Sequence, residues 1–125
     1  MTRPLLPIFR PGPGTPVTVV GLARSGVAAA RWLLQLGCIV RVTERAESAE
    51  LQAVAEDLAA AGAVVELGRH SPAFIRGSRL VALSPGVALT ADPVRWAAQE
   101  GIPVVSELEL GSWFCQGRTI AVTGS

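Results

Sequence analysis

Short apolar, β-branched runs recur along this chain, each followed by a turn or by residues at helical spacing. Val17-Thr18-Val19-Val20 is the first run, and Gly21 ends it. Further strands are predicted over 38–43, 63–67, 79–83, 104–105 and 119–122. Between the first two, Val27, Ala30, Leu33 and Leu34 share one side of a helix over 25–36, which Gly37 stops. Ser48 caps a second helix reaching residue 61, with Leu51, Val54, Ala55 and Leu58 at helical intervals and Gly62 after it. Ser71-Pro72 starts a brief helical turn, Asp92-Pro93 opens a third long helix ending before Gly101, and a last helix covers 107–115. Strands alternating with helices pair in parallel through right-handed crossovers. The fold class is therefore α/β: a Rossmann-like, doubly wound, mainly parallel sheet with helices on both faces.

Composition agrees with that plan. Half of the 125 residues are hydrophobic and 17% are charged, enough apolar material for one domain with a real core. The excess lies in Ala, Val and Leu rather than aromatics, as a parallel sheet under alanine-rich helices requires. A net charge of +1 with both signs interspersed excludes the basic face of a nucleic-acid binder. No apolar run is long enough to span a membrane, and Pro4, Pro7, Pro11, Pro13 and Pro16 interrupt any signal-peptide core. A cytoplasmic protein is expected. Cys38 and Cys115 lie far apart in apolar segments and are expected as buried free thiols. The expected organisation is an irregular leader over 1–16, loose up to Thr15, a domain over 17–117, and the start of another over 118–125.

Ligands of doubly wound sheets bind outside the carboxyl ends of the strands. Four loops fall there. Gly21-Leu22-Ala23-Arg24-Ser25-Gly26 has the first and third glycines of a dinucleotide fingerprint, with Ala23 in place of the middle one. The helix start that follows still offers unpaired N–H groups and a positive dipole end, with Ser25 as a hydroxyl donor and Arg24 as a cation. Such a loop suits a nucleotide-sugar diphosphate as well as a cofactor. Thr43-Glu44-Arg45 sets acceptor, carboxylate and guanidinium side by side, able to take ribose hydroxyls or the edge of a base. In Ser84-Pro85-Gly86 the serine stands at a strand edge, proline fixes φ, and glycine permits φ > 0. Ile120-Ala121-Val122-Thr123-Gly124-Ser125 reads as a strand entering a phosphate loop whose lysine is not among these residues. His70, the single histidine, has no metal-spaced partner and is expected as a solvated loop residue; Trp32, Trp96 and Trp113 are expected as core or docking residues.

Taken in order, these segments, together with Leu83-Ser84-Pro85-Gly86-Val87 and Glu107-Leu108-Glu109-Leu110, resemble the N-terminal part of the Mur ligases, and within them the D-glutamate-adding member. The resemblance covers roughly 17–125. It implies a first domain that holds UDP-MurNAc-L-Ala in an enzyme that also uses ATP, Mg²⁺ and D-glutamate, acting as a monomer with no nucleic-acid or membrane partner. It places Ala23, Arg24, Ser25 and Gly26 at the diphosphate, Thr43, Glu44 and Arg45 at the uracil and ribose, and Ser84, Pro85 and Gly86 in the same pocket. Thr123, Gly124 and Ser125 would open the ATP loop, with the catalytic residues beyond residue 125. Two departures stand out: many members have glycine at the position of Ala23, and many have an aspartate within the segment of Thr43 to Arg45. Two other readings stay open, an NAD(P)-binding oxidoreductase supported by Glu44 at its distance from Gly21, and a regulatory nucleotide-binding module.

Overall fold

The computed structural model describes residues 11–107, 109 and 110. Five strands form one parallel sheet: β1 (Pro16–Val20), β2 (Ile39–Glu44), β3 (Val64–Leu67), β4 (Leu80–Leu83) and β5 (Val104–Ser106). Their order is β3-β2-β1-β4-β5, so the chain winds outward from β1 first in one direction and then in the other. The connecting helices are α1 (Arg24–Gln35), α2 (Ala49–Ala60), the single turn α3 (Pro72–Ile75) and α4 (Asp92–Gln99).

Alternation along the strands divides the core into two layers. Val17 and Val19 of β1, Val40 and Val42 of β2, and Leu80 and Ala82 of β4 pack with Ala30 and Leu33 of α1 and Leu58 of α2. On the opposite face, Val20, Val81 and Leu83 pack with Ile75 of α3 and Ala97 of α4. Helices thus cover both faces. Both layers bury branched aliphatic side chains, and each fully buried one contributes roughly 1.5–3 kcal/mol.

Local signals account for the element ends. Ser48 Oγ accepts from the Leu51 N–H at 3.1 Å and caps α2. Gly37 and Gly62 follow α1 and α2 at φ of 86° and 115°, a region that side chains with a Cβ avoid. Arg31 and Asp57 join α1 to α2 by an exposed ion pair. Cys38 is a buried free thiol, and burial pushes its pKa up. Trp32 and Trp96 are half-buried, the latter against the second core layer.

The leader differs from its expectation where it is described. Pro11 is buried, the Gly14 N–H donates to Gly37 O at 2.9 Å, and the Ile39 N–H donates to Thr15 O at 2.9 Å. These bonds dock residues 11–15 against the start of β2, and β1 begins at Pro16. At the other end, Glu107, Glu109 and Leu110 are helical, while the rest of the helix expected over 107–115, with Trp113 and Cys115, and the strand over 119–122 lie outside the described residues.

Candidate functional site

Strand register decides which residues meet. Val20 lies opposite Thr43 of β2 and opposite Leu83 of β4, so Gly21, Glu44 and Ser84 leave the sheet level with one another. Beyond that edge lies a cavity of about 640 Å³ lined by Gly21, Glu44, Arg45 and His70 together with residues between Gly86 and Asp92, Leu89 excepted. Its position is where open α/β sheets bind ligands.

The glycine loop is shaped by packing. A Cβ on Gly26 would sit 2.3 Å from Gly21 O, so only glycine lets α1 come this close to the end of β1. Gly21 has φ 101°, and a Cβ there would meet Ser84 Oγ at 2.7 Å. The first and third glycines of the loop are therefore structural, and Ala23 between them is exposed. Ala23 gives α1 no side-chain cap, and the first turn of α1 holds no acidic residue. By contrast α2 has both the Ser48 cap and Glu50. The N-terminus of α1 is thus left to water or to an anion.

The other expected residues divide. Arg45 lines the cavity, is exposed, and forms no ion pair with a described residue; the same holds for the pairing of Arg24, which lies outside the cavity lining. Glu44 also lines it, but its Oε1 accepts the Leu22 N–H at 2.6 Å and its Oε2 the Ala46 N–H at 2.8 Å. The carboxylate thereby fastens the glycine loop to the end of β2. Thr43 is fully buried, because Val42 faces α1 and the next residue must face the other way. Its Oγ1 contacts Glu66 Oε2 at 2.8 Å, Arg69 O at 3.1 Å and His70 Nδ1 at 2.8 Å.

Ser84 is buried as well. Its hydroxyl proton is shared between Gly21 O at 3.1 Å and Glu107 Oε2 at 2.8 Å, tying the ends of β1 and β4 to the segment after β5. Glu107 is only 7% exposed, and its Oε1 has no partner among the described residues. A smaller cavity of about 210 Å³ joins Ser25, Trp32, Pro85 and Glu107 on the α1 side. Gly86 lines the larger cavity, does not have positive φ, and has open space where a Cβ would go. The conformational reason expected for glycine at 86 is therefore absent. Thr123, Gly124 and Ser125 lie outside the described residues.

Two residues given no site role by their sequence context lie at the cavities. His70 is half-buried at the cavity wall instead of solvated. Burial lowers its pKa below the usual 6.5, assisted by Arg45 and opposed by Glu44, Glu66 and Asp92. The signal was positional: the loop after β3 must emerge at the same carboxyl edge as the loops after β1 and β2. Glu107, a carboxylate directly after β5, is the other.

A family described as Mur ligase MurD-like, N-terminal domain, matches residues 15–106. This chain belongs to that family. The MurD-like chain is 40% identical over 109 residues to a UDP-N-acetylmuramoylalanine--D-glutamate ligase of Citrifermentans bemidjiense, covering 87% of this chain and 24% of that protein. It is 48% identical over 113 residues to the enzyme of the same name from Frankia casuarinae, covering 90% and 24%. The chain therefore spans about a quarter of the length of these curated relatives. Among solved structures, a shikimate dehydrogenase from Aquifex aeolicus superposes with a TM-score of 0.56 at 16% identity, over 86% of this chain and 48% of that one. A Serratia marcescens short-chain dehydrogenase/reductase gives 0.54 at 22%, over 78% and 56%. At such identities the MurD-like chain shares their Rossmann-type fold and nothing more is implied.

Proposed function

We propose that the cavity at the carboxyl edge of β1, β2 and β4 holds the uridine diphosphate part of UDP-MurNAc-L-Ala, for a ligase that adds D-glutamate at the expense of ATP. One observation carries this reading: Arg45, with no ion-pair partner among the described residues, shares a cavity with Gly21 and Gly86 beside a helix start that has neither cap nor acid. Unpaired N–H groups at the first turn of α1, with Arg24 and Ser25 on it, suit a diphosphate. Arg45 supplies a planar donor fork for phosphate or a base carbonyl. Full-length relatives named for the D-glutamate ligation support the substrate.

Within this proposal Glu44 and Ser84 hold the loops that frame the site, and Thr43 acts from behind the wall. The division at 17–117 and 118–125 belongs to the same reading, with Thr123, Gly124 and Ser125 opening the ATP loop. ATP and Mg²⁺ would supply phosphoryl transfer to the substrate carboxylate, a step that rests on positioning and charge stabilisation. Among the described residues no group of His, Cys, Asp and Glu could hold a metal, and no helix is long and apolar enough to cross a membrane. The proposed setting is a cytoplasmic monomer acting on small molecules.

Calorimetry of the chain with UDP-MurNAc-L-Ala, UDP and NAD tests the reading. Uridine ligands should bind and NAD should bind more weakly. Arg45→Ala should weaken UDP by about tenfold with the fold intact, since the side chain is exposed. Tighter binding of NAD than of any uridine ligand would overturn it. The dinucleotide alternative is tested by Ala23→Gly, which should leave NAD affinity unchanged.

A further inference from the structure

His70 stands between a buried hydroxyl and the cavity. Three groups converge on Thr43 Oγ1: Glu66 Oε2 at 2.8 Å, Arg69 O at 3.1 Å and His70 Nδ1 at 2.8 Å. The hydroxyl carries one proton. Glu66 also accepts the Ser71 N–H at 2.7 Å and the Ser71 hydroxyl at 2.7 Å, so it serves as an acceptor throughout. The carbonyl of Arg69 can only accept. Thr43 must therefore give its proton to these two oxygens, and the remaining contact has a proton only if Nδ1–H donates to Thr43. The opposite tautomer would leave Thr43 Oγ1 and the Glu66 carboxylate oxygen 2.8 Å apart with no proton between them.

This relay fixes the neutral ring with its proton on Nδ1 and a bare Nε2. Nε2 has no hydrogen bond with a described residue, and His70 lines the cavity beside Glu44 and Arg45. We infer that His70 is a specificity residue for the base, its neutral Nε2 accepting the ring N–H of a uracil and disfavouring a cytosine. The inference rests on the uridine reading of the cavity. Uracil presents a ring N–H between two carbonyls, whereas cytosine presents a bare ring nitrogen at the same place, whose lone pair would face that of Nε2. Protonation of His70 changes only Nε2, which becomes a donor; Nδ1–H keeps its bond to Thr43. The charged groups around the ring are Glu44 and Arg45 at the end of β2, Glu66 on β3 with Arg69 paired to it, and Asp92 at the start of α4.

The test compares UDP with CDP by calorimetry on the whole chain, from about pH 7.5 down through the lowered pKa of His70, which ¹⁵N spectra of its imidazole locate. The two ligands share ribose and diphosphate, so pH effects on phosphate contacts cancel in their ratio. UDP should be preferred by about tenfold at the upper pH, the worth of one hydrogen bond made or opposed, and the preference should shrink severalfold at the lower. H70Q should abolish that pH dependence while still binding UDP. Because the chain has a single histidine, ¹⁵N spectra of the imidazole read the tautomer directly even if H70Q folds poorly. They should show Nδ1 protonated and Nε2 bare, with the Nε2 signal moving on addition of UDP and not of pyrophosphate. A proton on Nε2, or a UDP-to-CDP ratio indifferent to pH while UDP binds, would overturn the role of His70 and leave the cavity reading standing. Failure of both nucleotides to bind would remove both.

Discussion

Gly26 and Gly86 are the same residue type under opposite constraints. Gly26→Ala would force a methyl to within 2.3 Å of a backbone oxygen that cannot rotate away. The variant should lose about 3 kcal/mol, read as a fall in the denaturation midpoint. Gly86→Ala meets open space at an ordinary φ, so stability should stay within about 0.5 kcal/mol. Its methyl borders the cavity, and calorimetry should show weaker UDP binding. His70 sets a pH limit on the folded state. Its folded pKa lies below the unfolded value of about 6.5, so the unfolded chain binds the extra proton first. The stabilising contribution is complete above about pH 6.5 and declines as pH falls through that value toward the lower folded pKa. Thermal melts should decline over that window in the native chain and decline less in H70Q.

Among the elements, α1 is the one whose start does two jobs. Ala23→Asp would cap it and complement its dipole, so stability should rise by about 1 kcal/mol in thermal melts. The same carboxylate would occupy the place proposed for the diphosphate, and UDP affinity should fall. A stabilised variant with unchanged UDP affinity would separate the helix start from the site. The elements themselves were readable from sequence because their signals are local: helical spacing from Val27 to Leu34, the Ser48 cap, and glycines 37, 62 and 101 after the three long helices. The site was only partly readable. Thr43 was expected beside the ligand, yet strand alternation turns its side chain inward, a fact present in the sequence once Val42 is assigned to the α1 face. Glu44 lines the cavity, and its engagement with the Leu22 N–H depends on register between β1 and β2, which no local pattern reports. His70 and Glu107 enter through proximity across the sheet, and the docking of residues 11–15 depends on Gly37 in the same way.

For the whole molecule, the decisive feature is that β1 lies at the centre of the sheet although it is the first of the described strands. It pairs with β2 soon after, but its other edge waits for β4, where Val17 meets Leu80. Closing that pair requires the chain to bring distant segments together at an entropic cost that local pairing does not carry. During synthesis, β1, α1 and β2 leave the ribosome with one side of the central strand still open. Nascent chains exposed only as far as Ile75 should therefore remain sensitive to protease, and resistance should appear once β4 and β5 have emerged. The strand that anchors the glycine loop is made before the other described strands and is among the last of them to be enclosed, so the ligand pocket would mature only once β4 and β5 are in place.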